Sequence, residues 1–163
     1  MKILSKKIQF IFVLALTFML SSVIFGSSLE AGHGIDVNGE FAWPVPGHNR
    51  VTVGFNDQVL TGVHSAIDIA DAGIHGADVV ASDDGTVIFA GIRGNYGNCI
   101  VIDHGDQIST VYAHMNDITV AVGDRVIRGQ EIGTVGNSGA ATGSHLHFEY
   151  RVNDVRRNPL EMF

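Results

Sequence analysis

Past residue 28 the chain is written in short runs, and no stretch sustains the 3.6-residue apolar period of an amphipathic helix. Apolar or alternating segments at Arg50–Phe55, Ala66–Ala70, Val79–Ala81, Thr86–Ala90, Cys99–Asp103, Ile108–His114 and His145–Arg151 read as strands. Turn residues punctuate them at Asp83-Asp84-Gly85, Gly94-Asn95, His104-Gly105-Asp106 and Val122-Gly123-Asp124. The pattern predicts an all-β domain, an antiparallel β sandwich or partly open barrel. A faint internal echo sets Gly76-Ala77-Asp78-Val79 and Gly85-Thr86-Val87 against Gly123-Asp124-Arg125-Val126 and Gly133-Thr134-Val135.

The first 28 residues follow a different rule. Lys2, Lys6 and Lys7 precede the apolar run Ile8–Leu20, and small residues follow at Ser21, Ser22, Gly26, Ser27 and Ser28. That order is the layout of an export signal, so residues 1–28 are expected to be a signal peptide, with the mature protein starting near residue 29. The competing reading is an uncleaved anchor, since Ile8–Phe25 barely reaches the ~17–25 residues that cross a bilayer. Residues 29–40, with Gly32, Gly34, Asn38 and Gly39, read as a flexible arm ahead of one domain at residues 41–163.

Composition narrows the partners. Hydrophobic residues at 45% and charged residues at 17% describe a chain able to build a core. Loss of residues 1–28 would remove every Lys and no acid, taking the formal charge from −7 to −10. Such a balance speaks against nucleic acid and against anionic surfaces as electrostatically captured partners. With Cys99 as the only cysteine there is no internal disulfide, and packing or a metal must hold the exported fold. Cys99 itself lies in Asn98-Cys99-Ile100-Val101-Ile102, where a strand would bury a small apolar thiol.

The candidate chemistry lies among eight histidines. A strand through His64-Ser65-Ala66-Ile67-Asp68-Ile69-Ala70 puts His64, Ala66 and Asp68 on one face and Ile67 and Ile69 on the other. In His145-Leu146-His147-Phe148-Glu149 the same period gathers His145, His147 and Glu149, with Leu146 and Phe148 toward the core. Side by side, two such strands offer three or four ligands. Two His and one Asp suit Zn²⁺ with a fourth position open, the mark of a catalytic site. Glu149 shares the face, either orienting a ring nitrogen or paired to an Arg at the surface. His104 reads as a turn residue, and His33, His48 and His75 as solvent-facing.

In these residues the chain resembles the lysostaphin/LytM family of zinc endopeptidases, which cleave peptide bonds in bacterial peptidoglycan. The resemblance runs from Phe41 to about Pro159. It rests on Gly62-Val63-His64 through Asp68-Ile69-Ala70, Ala81-Ser82-Asp83-Asp84-Gly85-Thr86-Val87, Gly94-Asn95-Tyr96-Gly97-Asn98, Tyr112-Ala113-His114, Gly123-Asp124 through Gly129-Gln130, and Gly143-Ser144-His145-Leu146-His147-Phe148-Glu149.

It implies a fold with duplicated lipoyl-like hairpins, one Zn²⁺ per chain on His64, Asp68 and His147, and His114 and His145 as catalytic histidines. It also implies peptidoglycan peptides as substrate and a location in the periplasm, cell wall or medium. Some relatives on this fold are non-enzymatic activators of other wall hydrolases, which is the alternative reading. Two departures stand out. Ala66 occupies a position where the family usually has Gly, and the segment Val51–Thr61 has no Tyr to act as the phenolic donor of some members. Loops Ile92–Asn98 and Gly136–Ser144 are expected to flank a groove, their glycines letting an extended peptide approach the backbone.

Overall fold

The computed structural model describes residues 41–163, so the expectations for residues 1–28 and 29–40 lie outside the described residues. Twelve strands make up the order: β1 (Val51–Val53), β2 (Gln58–Val59), β3 (Gly62–Val63), β4 (Ile67–Ile69), β5 (Asp78–Val80), β6 (Gly85–Ile92), β7 (Asn98–Gly105), β8 (Ile108–Ile118), β9 (Arg125–Val126), β10 (Glu131–Val135), β11 (Leu146–Val152) and β12 (Val155–Arg157). Among the described residues the only helical elements are single 3₁₀ turns at Gly94–Tyr96 and Pro159–Met162.

All pairings are antiparallel. Ten strands form one sheet along the path β1-β4-β11-β8-β7-β6-β9, with β12 against β11 and β10 bridging β5 and β8, and β2–β3 form a separate hairpin. The seven runs read from the pattern correspond to β1, β4, β5, β6, β7, β8 and β11. The five pieces that were not read, β2, β3, β9, β10 and β12, are very short or carry charged residues in alternation, as in Val155-Arg156-Arg157 and Glu131-Ile132-Gly133-Thr134-Val135.

The central strands read as nearly unbroken apolar runs because both of their faces are covered. Ile100 and Ile102 of β7 join Tyr112, Phe148, Ile67 and Ile69 in the main core, while Cys99 and Val101 join Val111 and Ala113 in a smaller cluster on the other face. Burial of side chains the size of Phe148 or Ile67 contributes about 1.5–3 kcal/mol each. Cys99 is fully buried, and desolvation pushes its thiol up to about 11, as suits a packing residue.

The sequence echo has a structural counterpart. β5 pairs with β10 through Val79↔Gly133 and Asp78↔Thr134, and β9 pairs with β6 through Val126↔Gly85 and Arg125↔Thr86, which are the same echo positions exchanged. The flanking backbone bonds repeat as well: Val135 N–H to Ala77 O matches Val87 N–H to Asp124 O, and Gly76 N–H to Val135 O matches Gly123 N–H to Val87 O. Gly85 and Gly133 are equivalent, and a Cβ on either would run into a backbone carbonyl of the adjoining strand, Asp103 O or Asp117 O. Both positions therefore exclude a side chain for the same reason.

Candidate functional site

Strands β4 and β11 lie side by side in a register that sets Asp68 opposite His147. Directly opposed residues hold their Cβ atoms ~4.5–5.5 Å apart, so the pairing alone brings carboxylate and imidazole together. Leu146 and Phe148 point into the core along with Ile67 and Ile69, as alternation requires. His64 reaches the same spot by another route. It lies ahead of β4, outside any strand, and is fixed by backbone bonds of Asn56 N–H to His64 O and His64 N–H to Asp57 O. The expected continuous strand from His64 to Ala70 is thus shorter, and a loop at residues 54–57 does the positioning.

Three potential ligand atoms converge. Asp68 Oδ1 lies 3.0 Å from His147 Nδ1 and 3.2 Å from His64 Nε2, and the two ring nitrogens are 3.3 Å apart. Tetrahedral ligands at about 2.0–2.1 Å from a zinc ion would be separated by roughly 3.3 Å. The outer partners sharpen the fit. His64 Nδ1 faces the Gly54 carbonyl at 3.3 Å and must donate to it, and His147 Nε2 faces Glu149 Oε1 at 3.3 Å and must donate there. Both rings then turn bare lone pairs toward the Asp68 carboxylate. Three acceptors aimed at one point repel one another unless a cation or proton lies between them, and a half-buried His₂Asp set could hold a metal ion, its donors suiting zinc.

His114 and His145 stand at the edge of this cluster, their rings 4.7 Å apart, with His114 5.7 Å from His147. Here too a carbonyl fixes each tautomer: Ser138 O takes His114 Nδ1–H at 2.8 Å, and Gly143 O takes His145 Nδ1–H at 2.9 Å. Both Nε2 atoms are left as bases toward the cleft. His145 Nε2 is 3.9 Å from Asp68 Oδ1, outside hydrogen-bond reach. Burial lowers the basicity of His114, partly offset by its bond to Ser138 O.

His114 occupies its place through a break in the strand. Strict alternation would put it on the face of Tyr112, in the core. Instead β8 spends three residues, from Tyr112 to Met115, where β7 spends two, from Ile100 to Asn98, and His114 takes φ +61°. This β-bulge returns Met115 to the core and re-aims the imidazole at the cluster.

Charge is organised around the metal-ligand candidates. Burial alone would raise Asp68, yet with a proton on His147 Nδ1 the hydrogen bond and charge of that imidazolium, with His145 and His64 beyond, hold it below the usual carboxylate range. For His147 desolvation is outweighed by Asp68 and Glu149, which push it up. Glu149 is 1% exposed and far below the usual range: burial opposes its charge, but His147, Tyr96 and Arg151 donate to it. It is the buried, ring-orienting member of the two alternatives read from the sequence, with Arg151 as its partner as well.

Tyr96 is the group that sequence reasoning passed over. Its hydroxyl donates to Glu149 Oε1 at 2.7 Å and its ring lies edge-on to His147 at 5.6 Å, so a phenol reaches the cleft from Ile92–Asn98, not from Val51–Thr61. The signal was the Tyr within Gly94-Asn95-Tyr96-Gly97. The cleft is lined by His64, Asp68, His114, His145 and His147, together with Leu60, Val63, Asn95, Ala140, Thr142 and Arg156.

Glycine use in the flanking loops differs from the reading above. Gly97 and Gly139 press their backbones together, and a Cβ on either would strike the other loop, so they lock the cleft's wall. Of the flanking-loop glycines, Gly94 and Gly143 face open space. His104 is also corrected: it lies inside β7, half-buried, bonded to Asp84 O and Thr110 Oγ1, both at 2.8 Å. His48 is half-buried with a buried Nδ1, and His75 is exposed and 3.0 Å from Ser144 Oγ. His33 lies outside the described residues.

The sequence model of peptidase family M23 matches residues 62–159, more than half of the chain. The DD-carboxypeptidase/endopeptidase Mpg of Neisseria meningitidis is 41% identical over 100 residues, covering 61% of this chain and 23% of that protein. The murein hydrolase activator NlpD of Escherichia coli is 38% identical over 120 residues, covering 72% of this chain and 30% of its own. This chain therefore spans less than a third of either relative. Among solved structures, a zinc-containing peptidase from Vibrio cholerae superposes with a TM-score of 0.67 at 36% identity, covering 73% of this chain and 39% of that one.

Proposed function

The chain belongs to peptidase family M23, and on that premise we propose that it is an exported, zinc-dependent endopeptidase that hydrolyses peptide bonds in bacterial peptidoglycan. The observation that carries this reading is the convergence of three lone-pair donors, His64 Nε2, Asp68 Oδ1 and His147 Nδ1, beside two further imidazoles with free Nε2 atoms. One Zn²⁺ held by the three would polarise the scissile carbonyl and lower the pKa of water toward ~7. His114 and His145 accept a proton from the attacking water at Nε2, and the imidazolium so formed donates to the developing oxyanion or the leaving amine. Gly54 O, Ser138 O, Gly143 O and Glu149 hold the four rings so that no tautomer change precedes the reaction.

The rest of the cleft suits an extended peptide. Leu60 and Val63 on the β2–β3 hairpin are exposed apolar side chains that a bound peptide would cover. The wall lies outside the cytoplasm, which fits residues 1–28 as an export signal, residues 29–40 as an arm and residues 41–163 as the catalytic domain.

NlpD, a relative named as an activator of murein hydrolases, keeps a second reading in view, in which this chain stimulates other wall enzymes without turnover. One experiment separates the two. Purified walls of differing cross-link chemistry are incubated with the zinc-loaded protein, and released fragments are analysed by mass. New peptide ends that disappear on chelation and return with zinc are expected. No fragment from any wall, with stimulation of a separate wall hydrolase, would establish the activator instead.

A further inference from the structure

On the wall of the cleft one carboxylate stands between two guanidinium groups. Glu149 accepts from Arg151 Nε at 2.7 Å and from Arg151 Nη2, from Arg156 Nε at 3.0 Å, from Tyr96 Oη at 2.7 Å and from His147 Nε2 at 3.3 Å. These donors fill the roughly four lone-pair sites a carboxylate offers. The Arg151 side chain is 14% exposed and bound to Glu149 Oε2 through two nitrogens, whereas that of Arg156 is 41% exposed and lines the cleft. Arg156 gives one Nη to Tyr96 Oη at 2.7 Å, and its other Nη has no partner among the described residues.

The charge does not cancel. Two guanidiniums against one carboxylate leave one positive charge, and Arg156 is where it meets solvent. Nothing else in the cleft carries a fixed positive charge, because the described residues include seven Arg and no Lys, and of the seven only Arg156 lines it. Asp68, the other carboxylate there, is enclosed by histidines. Against fourteen Asp and Glu in the described residues, twelve of them besides Asp68 and Glu149, this is a local reversal of sign. Tyr96 and Glu149 also hold the guanidinium in one orientation, so little rotamer freedom is left to lose when a ligand pairs with its free edge.

We propose that Arg156 is a carboxylate-binding subsite of the cleft, and that the substrate is a peptide carrying a carboxylate near the bond to be cut. This deepens the endopeptidase reading and rests on it. The carboxylate comes from a side chain or from the free end of the peptide, and the experiment distinguishes the two.

Three versions of one wall-derived peptide are compared: both carboxylates free, side-chain carboxylate amidated, and terminal carboxylate amidated. Each is followed as kcat/KM with the zinc-loaded full chain. Each is also followed as Kd on the full-chain His114→Ala protein, which reads binding without turnover. Loss of a charge-assisted hydrogen bond is expected to weaken one amidated peptide by about 10–100-fold, naming the source. That acid-to-amide ratio should fall toward one in Arg156→Gln and be partly kept in Arg156→Lys.

The ratio is insensitive to a general loss from disturbing Glu149, which lowers all three peptides together. Equal handling of the three peptides by the unaltered chain, or a ratio that survives Arg156→Gln, would overturn the subsite. No cleavage of any peptide, with the Kd ratio intact, would strike the endopeptidase reading and leave the subsite standing.

Discussion

The segments β5–β6 and β9–β10 repeat each other in their pairing and at their key glycines and valines, whereas the strands around the histidine cluster show no such counterpart. In the first region each position obeys a local rule. Val79 and Val126 fill the core, and Gly85 and Gly133 stand where a neighbouring carbonyl leaves no room for a Cβ. In the second region local rules are broken in concert. A non-glycine residue, His114, sits at φ +61°, a carboxylate is almost fully buried at Glu149, and three lone pairs converge around Asp68. Each departure costs stability when taken alone, and each is bound to the same few side chains, which is the arrangement expected of a working site on an otherwise consistent scaffold.

The largest effects should come from breaking the second region at its centre. Replacing His64, Asp68 or His147 by Ala is expected to abolish stable zinc retention and wall digestion together, because two remaining ligands do not make a closed set. His114→Ala and His145→Ala should instead keep zinc while digestion falls by about 10²–10⁴-fold. Metal content by elemental analysis, measured beside digestion rate, separates the two groups. Full zinc occupancy in His147→Ala, or unchanged digestion in both of the other variants, would erase the proposed division of roles.

The difference between the regions also explains what could be read from sequence. Alternation in Ile67-Asp68-Ile69 and Leu146-His147-Phe148 exposes the ligand face because those strands are regular and half-buried. The echo was visible because equivalent glycines and valines meet equivalent neighbours. His114 was identified only through its resemblance to a family motif, since period-two reasoning places it in the core and no local signal announces a bulge. Tyr96 and Arg156 were missed for a related reason. Each enters the cleft from a loop or edge strand outside the histidine-bearing runs, and their common partner is Glu149, a residue the alternation could place on a face but not inside the protein.

Glu149 gives the next effect in size. Glu149→Gln keeps the shape but removes the charge that holds Arg151, Arg156, Tyr96 and the His147 Nε2–H. With that proton unanchored, His147 presents Nδ1 as a ligand less of the time. Loss of such a partner typically costs 10–100-fold in metal affinity or activity. Competition with a chromogenic chelator measures it, and an unchanged zinc affinity would mean that Glu149 is only an internal counter-ion for its two arginines.

A smaller effect tests the bulge itself. A left-handed conformation costs a residue with a Cβ about 1–2 kcal/mol, which Gly largely escapes. His114→Gly and His114→Ala remove the same ring, so the Gly protein should be the more stable by about 1 kcal/mol in urea unfolding. At a regular strand position the order would be reversed, and that result would show that the strand straightens once the ring is gone.

The smallest effect lies away from the site, beside the repeating segments, and there a half-buried histidine behaves opposite to His147. Desolvation lowers His104, only partly offset by its bond to Asp84 O. Its Nδ1–H donates to that carbonyl, so Nε2, 2.8 Å from Thr110 Oγ1, accepts the threonine proton, and Thr110 in turn lies 3.0 Å from the buried Tyr112 hydroxyl. Protonation at Nε2 would turn that bond around and force the Thr110 proton onto Tyr112, which already receives Ser82 N–H.

The folded protein therefore binds this proton less readily than the unfolded chain, whose histidines titrate near ~6.5. The stabilisation is present in full above that pH and drains away as pH falls through the lowered folded value. His104→Asn leaves a donor for Asp84 O and removes the titration. Between pH 7.5 and 5 the stability advantage of the unaltered chain over this variant should shrink steadily. A gap that stays constant across that range would mean His104 titrates alike in both states, and the hydroxyl chain behind it would then be free to reverse.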